Sequence, residues 1–491
     1  MKNTAFLVAL LLLVSCSSNL PEPPALKRNF QTPTSSAEVR EFTRQVAGTS
    51  GRLHYEIIGI SEGGSELASI KVAPARSESP LRVLIFAQQH GNEQSSKEAS
   101  LLLIHDLAMG KHAHWLDNME IWIVPQVNPE GSDENQRRNA GGIDLNRDHV
   151  VQLAPETRAL HKVFRSFMPH ITIDIHEYYP FRESWAEFGG YKNFDVQVGI
   201  PTNPNVAEEL REFGLSRALP HIEKHLNEKG FSFHNYIVGP APNLGRTRHS
   251  TVDFDDGRQS FAILNTLSFI YEGINGRDGF TENLERRTHG QYEALIALLD
   301  FSHANAQSII EKVENTRQEL HHAKAGETVA IRMEHFPDSN PLMLPLVSSK
   351  TGLDTLVVVE NYHPKVKTTL QVQRPRAYLV PQNDTLLMQF LDLHDITYRH
   401  EYNTHTASQY FVESIETSTD EELRNRYPDV TTKEIIAEAL NEPYVWVPIN
   451  QLHANFLVSV FEPQSMLGLA QRPGFEYLLQ EGTPFPILRV E

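Results

Sequence analysis

Cysteine is nearly missing from this chain, with one residue, Cys16, in 491. Without a second thiol no disulfide can close within the chain, although an exported protein has the opportunity. Positive charge is also scarce. Lys and Arg total 44 against 62 Asp and Glu, a net charge of -18. That balance excludes nucleic acid as a partner, since nucleic acid requires a basic face. It also disfavours adsorption on anionic lipid, and the acidic excess serves solubility. Long apolar runs are absent after the first residues. The run Ala5–Val14, behind Met1-Lys2, is too short to span a bilayer and fits the core of a signal peptide over residues 1–15. What remains is globular in composition, 40% hydrophobic and 22% charged, and long enough for two or three domains.

Leu13-Val14-Ser15-Cys16 resembles the lipobox of bacterial lipoproteins. The resemblance implies cleavage before Cys16, a diacylglyceryl group on its thiol, and a lipid anchor to the membrane. Ser17 after the cysteine points by the same analogy to the outer membrane. An ordinary signal peptide with an incidental cysteine is the alternative. Residues 17–36, rich in Ser and Pro, read as a tether.

Ordered structure is expected from about Ala37. Leu53–Ile60 and Leu67–Val72 alternate like a hairpin around Ser61–Gly64. Val83–Ala87, Met119–Val124, Ile171–Ile175 and Leu267–Tyr271 read as buried strands, with helical patterns at 95–109, 155–167, 205–229 and 287–323. Strands separated by helices predict an α/β domain over 37–325, a mixed sheet covered by helices on both faces. Near Gly326 the character changes. β-branched runs fill 328–380, a helix is expected at 384–393, and apolar runs follow at Tyr444–Ile449 and Asn455–Phe461. Residues 326–491 therefore read as a second, accessory α+β domain rich in β-structure.

The chemistry concentrates at strand ends, where open α/β sheets place their sites. His90 and Glu93, in the turn HGNE after the strand Val83–Ala87, can point at one spot, and their nitrogen and oxygen suit Zn²⁺. Two ligands leave the metal short, which predicts another histidine at another strand end. His176 in DIHEY answers that expectation, and Glu272 follows a further buried strand as SFIYEG.

These pieces, with NPEG at 128–131 and RRNAGGIDLNR at 137–147, resemble in content and order the zinc carboxypeptidase family, the carboxypeptidase A/B-like metallopeptidases. The resemblance spans roughly 37–325. It implies one Zn²⁺ per chain held by His90, Glu93 and His176, and Glu272 as the general base that activates water. It implies Arg137 as the oxyanion-stabilising cation, with Arg138 the alternative in the same loop. Asn146 and Arg147 would grip a substrate carboxylate, and Asp144 would orient His90. The substrate is then a peptide or peptide-like molecule with a free carboxylate. The family's mobile tyrosine has no counterpart in RTRHSTVDFDDGRQS, and Tyr236 and His249 are only loose candidates. Asp253, Asp255 and Asp256 suggest either an acidic pocket for a basic side chain or a solvated loop. His221 and His225, four apart, lack the HExxH order and read as surface residues. Alternatives on the same fold are an amidase or deacylase of cell-wall peptides or N-acyl amino acids. A non-catalytic surface binding protein is a third, and it has no need of Glu272.

Overall fold

The computed structural model describes residues 20–401, 406–418, 426–436 and 443–491. The signal-peptide run and Cys16 lie outside the described residues. The central element is an eight-stranded mixed sheet. In chain order its first strands are β1 (Leu53–Ile60), β2 (Glu66–Val72), β3 (Leu81–Ala87), β4 (Met119–Val124) and β5 (Ile171–Tyr178). A short strand β6 (Gly190–Lys192) stands apart, before β7 (Val196–Gly199) and β8 (Phe233–Asn235). After β9 (Ile237–Val238) and β10 (Thr247–His249), β11 (Leu267–Ile274) returns to the sheet centre. The order across the sheet is β1-β2-β4-β3-β5-β11-β7-β8, and β3, β4, β5 and β11 run parallel.

Alternation along β3 explains the layering. Val83, Ile85 and Ala87 face one core, with the helices 36–47, 94–108 and 284–304. Leu84 and Phe86 face the other, with the helix 155–167. Parallel strands covered on both faces carry near-continuous apolar sequence, and burial is complete along β5.

The C-terminal region closes the second face. It contains β12 (Thr328–Phe336), the hairpin of β13 (Leu342–Ser348) and β14 (Asp354–Val359), and a mostly antiparallel sheet from 377 onward. The β-rich composition is as expected, but Asn455–Phe461 belongs to a helix, Ala454–Phe461. The helix buries every one of its residues. Its Phe456, Leu457 and Phe461 share one apolar cluster with Phe86 of β3 and Phe164 of the helix 155–167. The expected boundary at 325/326 therefore does not separate two cores. The regions also exchange strands: β13 pairs with β6, and Tyr362–His363 pairs with β10.

The tether reading needs correction over its described part. Ala25 and Phe30 are buried in a small cluster with Leu102 and Leu284. Thr34 bonds the buried Glu98 through both its backbone N–H and its hydroxyl. Ser35 and Glu38 form a reciprocal capping box at the start of helix 36–47. Pro and Ser here serve turns and a cap, not a free spacer.

Candidate functional site

Three parallel strands, β3, β5 and β11, end side by side, and their carboxyl ends carry the site. Register does the positioning. Glu272 on β11 pairs with His176 on β5, and Ile270 pairs with Asp174 two residues earlier. Glu272 and His176 are therefore neighbours on one rung, with side chains on the same face.

His90 and Glu93 come from the turn after β3. Gln88 there adopts φ 57°, the left-handed region, and its amide donates to the Gly91 carbonyl at 3.0 Å. Gly91 is required by contact: a Cβ there would lie 2.0 Å from the carbonyl carbon of Gly131. That explains why HGNE and NPEG occur together. Asn128 caps the short helix Pro129–Asp133, and its amide donates to the carbonyls of Gln89 and Arg137.

Both imidazoles present Nδ1 to Glu93. His90 Nδ1 lies 2.7 Å from Oε1, His176 Nδ1 lies 2.8 Å from Oε2, and the two nitrogens are 3.1 Å apart. Each ring's far nitrogen faces a carboxylate: His90 Nε2 meets Asp144 Oδ1 at 3.1 Å, and His176 Nε2 meets Asp174 Oδ1 at 2.8 Å. Such backing fixes the tautomer, with the proton on Nε2 and the Nδ1 lone pair free for a metal. The Glu177 backbone N–H holds Glu93 Oε2 at 3.0 Å. Zn²⁺ fits this donor set. Its 2.0–2.1 Å bonds set tetrahedral ligand edges at about 3.3 Å, a small opening of the 2.7–3.1 Å edges present. Two nitrogens, one carboxylate and an open side are the pattern of a catalytic site. Among the described residues this is the one cluster of three such groups.

The other expected residues divide. Arg137 Nε donates to Asp144 Oδ2 at 2.9 Å, and its Nη1 reaches His90 Nδ1 at 3.2 Å. Arg138 turns away, exposed, to the Gly142 carbonyl, so the loop register favours Arg137. Burial would raise the Asp144 carboxyl, but His90 and Arg137 hold it well below the carboxylate range. Arg147 lines the same cleft as the ligands. Asn146 is buried and already engaged. Its Oδ1 accepts from Gly257 N at 2.7 Å, and its Nδ2 lies 3.2 Å from His176 Nε2. Glu272 is buried, and that burial pushes its carboxyl up, with His176 opposing.

The cleft, about 720 Å³, is also lined by Tyr236, Lys192, Ile270 and Trp185. Tyr236 is a residue the motifs leave unfilled. Its buried hydroxyl bonds Glu272, and burial with that carboxylate raises its pKa well above the usual value. His249, the other candidate, is buried with its carbonyl bonded to His335 and does not line the cleft. Neither expectation for Asp253, Asp255 and Asp256 holds: all three are tied to arginines, Asp255 and Asp256 are buried rather than solvated, and only Asp256 lines the cleft. Arg472 takes Asp253 at 2.8 Å and Asp255 at 2.9 Å, away from the cleft. Asp256 pairs with the fully buried Arg258 at 3.0 Å and caps the next helix. His221 is exposed, as a surface residue should be, whereas His225 is largely covered and pairs with Glu293 at 2.8 Å.

Comparison with known proteins gives consistent relatives. The zinc carboxypeptidase family model matches residues 39–179. Carboxypeptidase 2 of Trichophyton rubrum is 26% identical over 393 residues, covering 73% of this chain and 69% of its own. Carboxypeptidase SOL1 of Arabidopsis thaliana is 29% identical over 124 residues, 24% of this chain and 25% of its own. Among solved structures, a metallo-carboxypeptidase from Burkholderia cenocepacia superposes with a TM-score of 0.43 at 18% identity, over 56% of this chain and 70% of that one.

Proposed function

We propose, from the premise that this chain carries a zinc carboxypeptidase domain, that it hydrolyses the peptide bond next to a free C-terminal carboxylate, with Glu272 as general base. The observation that carries the reading is the shared rung. Glu272 stands beside His176, above a ligand set with an open side, in one cleft with Arg137 and Arg147.

One zinc ion per chain, held by His90, Glu93 and His176, would supply the Lewis acidity that makes water and the scissile carbonyl reactive. The chain's own groups do the rest. Glu272 takes a proton from the attacking water on its carboxylate and delivers it to the leaving amine. Its raised pKa suits it to return that proton. Arg137 places fixed positive charge where the oxyanion develops. Its Nε bond to Asp144 holds it there. Arg147 binds the terminal carboxylate through its planar fork. Asn146 is tied to Gly257, whose N–H donates to its Oδ1, and this keeps Arg147 at the cleft wall. Tyr236 holds Glu272 by a hydrogen bond. A lipid anchor at Cys16, with export to the outer membrane of a bacterium, belongs to the same proposal and rests on the sequence alone.

Glu272→Gln separates chemistry from metal binding. Zinc stays at one per chain by elemental analysis, and turnover of peptides with free C-termini falls by about 10²–10⁴. Turnover near the wild-type rate would sink the base assignment.

A further inference from the structure

The charges along the cleft divide unevenly once their partners are counted. The carboxylates are spent. Glu93 lies between the two histidines, Glu177 is bidentate with Arg287 at 2.8–3.0 Å, Asp256 is held by Arg258, and Asp278 accepts from the backbone N–H groups of Phe280, Thr281 and Glu282. Lys192 is different. Its Nζ reaches the Ile237 carbonyl at a long 3.4 Å and sits over two rings, Tyr178 at 4.9 Å and Trp185 at 5.6 Å. Among the described residues it closes no ion pair with any carboxylate. A sheltered ammonium without an ion-pair partner, facing a substrate cleft, is an expensive arrangement unless a ligand completes it.

We infer that Lys192 makes this cleft select substrates with an acidic side chain flanking the scissile bond. The inference deepens the peptidase reading and rests on it. The fold holds the cation in place: Lys192 ends β6, where it pairs with Leu346 of β13, and its ammonium sits over the two rings. The groups facing it are Glu272 on β11, Tyr178 on β5, Arg182 ahead of β6 and His234 on β8. Of these, Glu272 is the one anion, and it is committed to the reaction. Burial draws the ammonium down to about 8, with Glu272 opposing, so it is charged at neutral pH. The loop that seemed to offer acid for a basic side chain spends all three of its carboxylates on Arg472 and Arg258. Among the described residues, Arg147 and Lys192 line the cleft without a direct ion pair.

The test uses N-acetyl peptides that vary only in the last two residues, with Glu against the isosteric Gln and against Lys. Zinc-loaded wild type should favour Glu over Gln in kcat/KM by roughly ten- to a hundredfold at one of the two positions, the range of one charge-assisted hydrogen bond in a sheltered site. Lys192→Met should bring the Glu/Gln ratio to about one, and Lys192→Glu should shift preference toward Lys. Arg147→Ala lowers Glu and Gln peptides alike, which separates the terminal clamp from the side-chain reader. Equal rates for Glu and Gln with ready turnover overturn the inference and leave the peptidase reading standing. A ratio that survives in Lys192→Met also overturns it. If no peptide is cleaved, the peptidase reading fails. Dissociation constants of the same peptides on zinc-loaded wild type then decide the inference: a Glu preference that Lys192→Met removes supports it, and equal constants overturn it.

Discussion

Arg472→Met probes what the C-terminal region does for the cleft. Arg472 binds Asp253 at 2.8 Å and Asp255 at 2.9 Å, in the loop that leads to Gly257 and the Asn146 contact. Its side chain is 11% exposed and that of Asp255 only 6%, whereas Asp253 is 42% exposed. Removing one partner of a buried pair costs about 3–5 kcal/mol. The half-open Asp253 partner adds little through water, so the lower end, about 3 kcal/mol, is the expected loss. Unfolding entropy of roughly 2.1 cal/mol/K per residue over about 470 residues gives about 1 kcal/mol/K, and hence a fall in Tm of about 3 °C. The penalty has a pH signature. Burial pushes Asp255 up to about 7 even with Arg472 beside it. A carboxyl whose folded pKa lies above its unfolded one opposes folding only when ionised, so the loss is smaller at pH 5 than at pH 8. Calorimetry at both values checks this, and Asp253→Asn with Asp255→Asn in the same chain should restore most of the loss. An unchanged Tm would refute the reasoning. So would two separate transitions of which only one moves, because the shared apolar cluster requires the two regions to unfold together.

Two further perturbations test the surroundings of the site. Asp174→Asn keeps the shape beside His176 Nε2 but removes the charge; zinc affinity measured against a competing chelator should fall about 10–100-fold, and an unchanged affinity would show that Asp174 does not support the ligand. Four buried histidines, His149, His161, His394 and His453, meet where the C-terminal region joins the central-sheet region. Burial holds His149 and His394 at about 4 and His453 at about 3, below their unfolded values. Below about pH 6.5 the unfolded chain therefore binds more protons, and stability falls by about 1.4 kcal/mol per pH unit for each histidine down to about pH 4. Urea titrations at pH 7 and pH 5 measure the slope, and a flat profile would mean these rings are protonated or open to water.

Much of the site was legible because its residues lie where periodicity ends. His90, His176 and Glu272 each follow an apolar strand, and strand ends in a parallel sheet converge. Asp144 and Arg137 followed from motif order, and the structure places both against His90. Tyr236 was legible only as a loose candidate beside His249, since it sits between two strands of three and two residues and reaches Glu272 only through three-dimensional packing. Lys192 was hidden in an apparent loop, because its strand partner arrives about 150 residues later. Asp174 read as part of a strand, and its polar role appears only in its contacts with His176 and Gln89. The accessory region looked separate because its composition turns β-branched, yet composition reports local conformation and not which face a segment covers. The residues 23–36 misled for a related reason: Pro and Ser signal turns as readily as linkers, and burial of Ala25 and Phe30 decides between them.

The pairing of β6 with β13 has a consequence for how such a protein can diverge. His176 and Glu272 stand on the central sheet, where a one-residue slip would turn Glu272 to the opposite face. Lys192 stands on a different, three-stranded sheet whose other two strands form the hairpin 342–359. Changes in that hairpin's length or twist would move the cation by ångströms and leave the rung of His176 and Glu272 untouched. Taste and chemistry are thus mounted on separate frames, and a lineage could retune the first by drift in a surface hairpin while the second stays fixed.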